Sequence, residues 1–78
     1  MKEYYTTKIK YRIVYLGDDR YLAWDDDGKR FVPAGMHLYI TTYDSIDSVF
    51  KAIRKVKKKC SGWANDIYID SFTVYQPT

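Results

Sequence analysis

The chain has 78 residues, one cysteine and a formal net charge of +3, with 46% apolar and 18% aromatic residues. That length supports one small domain over residues 1–78, and the lone Cys60 excludes an intramolecular disulfide scaffold. The N-terminal MKEYYTTKIK holds no apolar run of signal-peptide length, and no segment approaches the roughly 20 apolar residues that span a bilayer. A soluble, untargeted, cytoplasmic protein with no membrane partner is the expectation.

Lys8 to Leu16 alternates with period two, placing Ile9, Tyr11, Ile13 and Tyr15 opposite Lys8, Lys10 and Arg12, which predicts a half-buried strand. Gly17-Asp18-Asp19 supplies turn chemistry, and Arg20 to Trp24 resumes an extended pattern. Asp25-Asp26-Asp27-Gly28 then predicts a hairpin. With Asp27 and Gly28 as the central pair, Trp24 faces Phe31 and Asp25 faces Arg30; a three-residue loop with Gly28 in a bulge would shift those partners by one.

Pro33-Ala34-Gly35 ends the third strand. Met36 to Tyr43 reads as a fourth, with Met36, Leu38 and Ile40 turned toward the helix and His37, Tyr39, Thr41 and Tyr43 away from it. Between Asp44 and Cys60, the residues Ile46, Val49, Phe50, Ile53, Val56 and Cys60 recur at helical spacing, so this stretch predicts one amphipathic helix. Asp44 or Ser45 is placed to cap its start, and Gly62 to cap its end within a Ser61–Asn65 loop. Ile67 to Tyr75 is the fifth strand. Its apolar residues change parity between Ile67/Ile69 and Phe72/Val74, which predicts a bulge near Asp70-Ser71, and Gln76-Pro77-Thr78 reads as a tail.

The expected fold is therefore α+β: a five-stranded, mostly antiparallel sheet with one amphipathic helix packed on one face, in the order β-β-β-β-α-β. The uncovered face is expected to display several of Tyr4, Tyr5, Tyr11, Tyr15, Tyr21, Tyr39, Tyr43, Tyr68 and Tyr75, unless a homodimer covers it.

Catalytic and metal chemistry finds little purchase. His37 is the only histidine and has no partner at zinc-ligand spacing. Cys60 ends the apolar stripe and reads as a small core residue, although the nearby cations would favour its thiolate if it were exposed. A calcium loop built on Gly28 would need ligands at Ala23 and Ala34. Gly-rich phosphate loops, nucleophile elbows and H-E-x-x-H motifs are absent, so neither enzyme activity nor a cofactor is expected.

Charge is segregated. Six of the 13 basic residues lie between Lys51 and Lys59 with no acid among them, leaving the rest of the chain at −3. Lys51, Arg54, Lys55, Lys58 and Lys59 fall on the arc opposite the apolar stripe, where they either keep a helix in water or meet an anionic partner. Arg54 alone carries the bidentate fork, so such a face positions a charged backbone or an acidic protein surface without reading bases. Tyr11 and Tyr39 join these five as candidate partner-binding residues. No metal or cofactor site is assigned.

The D-G hairpin LAWDDDGKRFV, the run ITTYDSIDSVFKAI leading into a capped helix, and the closing strand resemble, over Arg20 to Tyr75, small phage-encoded proteins that block host machinery, such as anti-CRISPR proteins and host RNA polymerase inhibitors. The likeness lies in architecture and size. It implies a non-enzymatic inhibitor that docks on a host protein or protein–nucleic-acid complex, and it supplies no site residues. Direct DNA or RNA binding through backbone contacts is the alternative expectation.

Overall fold

The computed structural model describes residues 5–77, with side chains for 6–77; Tyr4, Thr78 and the side chain of Tyr5 lie outside it. Strands β1 (Tyr5–Gly17), β2 (Arg20–Asp25) and β3 (Arg30–Pro33) are followed by helix α1 (Ile46–Lys59), a 3-10 helix (Ser61–Asp66) and β4 (Ile67–Pro77). The sheet is antiparallel in the order β3-β2-β1-β4. The class is α+β, with four strands where the alternation of the chain suggests five.

Both hairpins form where turn chemistry places them. Gly17 pairs with Arg20 across Asp18 and Asp19, whose φ values of 52° and 59° give the left-handed pair that matches the twist of the strands. The second hairpin pairs Trp24 with Phe31 and Asp25 with Arg30, as the D-G reading requires. Its left-handed residue is Lys29 at φ 53°, however, and not Gly28. Gly28 is needed for close approach: its N–H donates to Asp25 Oδ1 at 3.1 Å, and a Cβ there would stand 2.6 Å from Asp25 Oδ2.

The expected strand Met36–Tyr43 is instead a chain of turns. Met36 N–H bonds to Pro33 O, Tyr39 N–H to Met36 O and Ile40 N–H to His37 O, each three residues back. Only Tyr43 enters the ladder, exchanging both backbone bonds with Tyr11. Ala34 N–H to Tyr21 O and Thr41 N–H to Trp24 O pin the segment to β2. Its His37, Ile40 and Thr42 border a hollow with Arg12 and Phe72, so it lies on the face opposite α1, where Val14, Ala23 and Val32 are buried. Leu38 does not meet the helix; it is 97% exposed.

The main core lies on the other face. Val49, Ile53 and Val56 of α1 pack with Ile13, Tyr15, Trp24 and Ile67. The stretch expected to be a loop after α1 is the 3-10 helix, which sets Trp63 5.3 Å from the Tyr15 ring, while Trp24 meets Phe31 edge-on at 5.1 Å. Trp63 N–H bonds to Cys60 O, so α1 runs directly into this helix and no left-handed cap at Gly62 is used.

β4 pairs with β1 without a break from Tyr15↔Ile67 to Tyr5↔Pro77, so there is no bulge at Asp70-Ser71, and Gln76 and Pro77 belong to the strand. Ile67 and Ile69 face α1, while Phe72 and Val74 face away. Phe72 has work on that side: the Arg12 guanidinium lies 5.8 Å from its ring centre and 5.4 Å from that of Tyr21, and bonds Asp70 at 2.9 Å. The tyrosines are therefore distributed over both faces. Tyr11, Tyr15 and Tyr43 pack at the core, whereas Tyr21 and Tyr68 are half-exposed on the opposite face.

Ser45 resolves the choice of cap, since its Oγ accepts the Ser48 N–H at 3.2 Å, while Asp44 pairs with Lys8 and Lys10. Ser45→Ala is expected to lower the unfolding free energy by about 1 kcal/mol, read from urea denaturation. Asp19→Gly should raise it by about 0.5–1 kcal/mol, because glycine occupies the left-handed turn position without the steric cost borne by a Cβ.

Candidate functional site

Helix α1 presents its cations on two flanks, because burial of Val49, Ile53 and Val56 fixes how the helix is rotated about its own axis. Lys51, Lys55 and Lys59, spaced by four residues, line one side of a groove of about 400 Å³. Trp24, Asp26 and Lys29 of the β2–β3 hairpin and Tyr43 enclose it with them, and Ser48, Ala52 and Val56 complete the helix side. Arg54, Lys57 and Lys58 are exposed and do not line this groove.

Among the described residues, none of the six α1 cations forms an ion pair. The ion pairs belong to the sheet and its loops: Lys8 and Lys10 with Asp44, Arg12 with Asp70, Lys29 with Asp26, and Arg30 with Asp25.

Asp26 is the one carboxylate on the groove wall. Its Oδ1 accepts Lys29 Nζ at 3.0 Å and Trp24 Nε1 at 3.3 Å, and its backbone N–H donates to Thr41 Oγ1 at 2.8 Å. These bonds, Lys29 first, hold its pKa below the ordinary aspartate value, with the charge of Lys55 a smaller contributor. Bonds from Lys8 and Lys10 lower Asp44 in the same way. Burial raises the Tyr43 phenol, with the Asp26 charge adding to it, so the hydroxyl stays protonated in the groove.

The structure brings Lys51, Lys55 and Lys59 together and leaves Arg54 and Lys58 on the outward arc. Tyr11 packs partly buried against the core, and Tyr39 is exposed on the turn segment; neither lines the groove. Lys29 is the residue the linear pattern does not single out, since it reads as part of a turn and reaches α1 only through the hairpin. His37 is exposed, and Cys60 is a half-buried free thiol packed against the core. No group of three or more His, Cys, Asp or Glu suited to a metal occurs among the described residues, and none of their helices is long and apolar enough to cross a membrane. No protein-family model, curated protein or solved structure matches the chain.

The two lowered carboxyls give stability a pH dependence of defined sign. Their contribution is complete above the unfolded aspartate pKa of about 3.9 and is lost as pH falls through their lower folded values. Urea midpoints should therefore drop between about pH 5 and pH 2, and the Asp26→Asn/Asp44→Asn double variant should show a flatter profile over that interval.

Proposed function

We propose that the protein is a non-enzymatic binding protein that docks, through the exposed basic face of α1, on an acidic surface of a larger partner: a host protein or protein–nucleic-acid complex. The observation that carries this reading is the absence of ion pairs at all six helix cations, among the described residues, while five of the six described cations outside the helix pair with a carboxylate: Lys8 and Lys10 share Asp44, Arg12, Lys29 and Arg30 each have their own, and Arg20 has none. Charge left unmatched on one rigid face is available to a partner, and at physiological ionic strength its field reaches about 8 Å. Lysine predominates, which suits docking over bidentate recognition. An inhibitor carried by a phage or mobile element would act in this way.

Direct binding of DNA or RNA is the second reading, favoured by the Lys51-Lys55-Lys59 line, whose members stand about 6 Å apart along the helix. Titration with a random-sequence oligonucleotide separates the two. Backbone binding predicts micromolar affinity at low salt that falls steeply on a log–log plot against salt. Docking on a protein predicts a specific partner retained from a nuclease-treated host lysate and released in the Arg54→Glu/Lys58→Glu variant. Retention that survives this charge reversal would refute the helix face as the docking surface.

A further inference from the structure

We infer that the groove between α1 and the β2–β3 hairpin is a binding site for a nucleotide unit, with the phosphates on the lysine rim and the flat base toward the aromatic and aliphatic floor. The inference deepens the reading of α1 as an anion-facing helix but places the contact on a different flank.

Three features of the groove select this chemistry. Its rim carries four ammonium groups from two separate elements, Lys51, Lys55 and Lys59 of α1 and Lys29 of the hairpin, against the single carboxylate of Asp26. Cations on facing walls grip an anion from two sides, which a solvated helix face alone does not do. The floor is not ionic: the partly exposed faces of Tyr43 and Ala52 are open to a ligand, over Trp24 and Val56, which lie buried beneath them. That rules against a bare inorganic ion as the best occupant and suits a ligand with an apolar plane attached to its charge. The volume of about 400 Å³ lies at the lower end of the range for small-ligand sites, enough for one nucleotide unit but not a folded partner.

The walls are held in place before any ligand arrives. Trp24 is 2% exposed, and its indole N–H is anchored on Asp26, which also holds Lys29 at 3.0 Å. Thr41 Oγ1 accepts the Asp26 backbone N–H and ties the hairpin turn to the segment leading to Tyr43. A phosphate entering the groove meets Lys55 and Lys59 directly, and competes with Asp26 for Lys29. Asp26 therefore opposes the ligand electrostatically while ordering the wall, which makes its isosteric replacement informative: Asp26→Asn keeps an oxygen for the indole N–H and removes the repulsion.

A free nucleotide and one nucleotide of a single strand share this chemistry, and two probes distinguish them: ATP without divalent metal, and a short 5′-phosphorylated oligothymidylate. Each is titrated into isotope-labelled protein while the indole N–H resonance of Trp24 is followed, with the backbone N–H of Gly35, in the turns after β3 and outside the groove lining, as an internal control. At least one probe should shift Trp24 and leave Gly35 in place, whereas adenosine should shift neither. Lys51→Glu/Lys55→Glu should weaken binding by about tenfold or more, Asp26→Asn should tighten it about threefold, and Arg54→Glu/Lys58→Glu, with the same change in net charge, should alter it less than about threefold. ATP binding alone assigns a free nucleotide, and oligomer binding alone a strand. No Trp24 shift with either probe, a response to adenosine equal to that with ATP, or equal loss in the two charge-reversed variants overturns the inference. Because the outward pair Arg54 and Lys58 is the one that tests macromolecular docking, groove binding that persists while docking is lost, or the reverse, shows which of the two readings has failed.

Discussion

The packing of Val49, Ile53 and Val56 against Ile13, Trp24 and Ile67 is the contact on which the rest of the molecule depends. One short helix, continued by the 3-10 helix that carries Trp63, covers one face of a twisted sheet. Each of the six side chains in that contact is at most 8% exposed, and burial of that kind contributes roughly 1.5–3 kcal/mol per residue before entropy is counted. More consequential for function is geometry. Three fixed points on a helix leave it no freedom to roll, so the positions of Lys51, Lys55 and Lys59 beside the hairpin and of Arg54 and Lys58 facing outward follow from where the apolar residues sit.

Charge is arranged by the same logic. Asp44 sits between Lys8 and Lys10 just before the helix, and Asp25, Asp26 and Asp70 are held by Arg30, Lys29 and Arg12. Those pairs brace the hairpins and the β1–β4 ribbon. Like charges four residues apart on α1 oppose helix formation by roughly 0.2–0.5 kcal/mol per pair, and Lys57, Lys58 and Lys59 in the last turn recover part of that through the helix dipole. The balance favours a stable helix whose electrostatic field is not cancelled at its source.

Elements governed by local chemistry were legible in the sequence. The helix, the two hairpins and the Trp24–Phe31 register follow from periodicity and turn residues alone, but the buried stripe is narrower than the spacing suggests: Val49, Ile53 and Val56 are buried, whereas Ile46 and Phe50 are exposed. Met36–Tyr43 misleads because its alternation is that of a strand, yet β1 and β2 stop pairing at Val14 and Ala23, and the segment reaches the ladder only at Tyr43. The parity change in β4 misleads for a different reason: Phe72 is apolar but packs under the Arg12 guanidinium on the face away from α1, so no bulge is needed to bury it. The five basic helix residues were visible as a group, but their division between groove and outward arc was not. The apolar positions set the roll of the helix, but which flank becomes a groove depends on where a hairpin distant in sequence lays Lys29 and Asp26.

The molecule is longer than its chain length requires. Its radius of gyration is 14.0 Å, against about 11.5 Å for a compact domain of this size, and its longest axis is 51 Å. The excess comes from β1 and β4, which pair as far as Tyr5 and Pro77 although β2 leaves β1 at Val14. A two-stranded ribbon is marginal in water by itself. Here it is anchored at its base by the Arg12–Asp70 pair, and along one side by the ion pairs of Lys8 and Lys10 with Asp44. Asp44 immediately precedes the Ser45 cap, so the cations of the ribbon and the start of α1 are tied to a single short stretch of chain. The ribbon and the helix are therefore mechanically linked at the N-terminal end of α1, while the cationic groove is set by the hairpin on its flank.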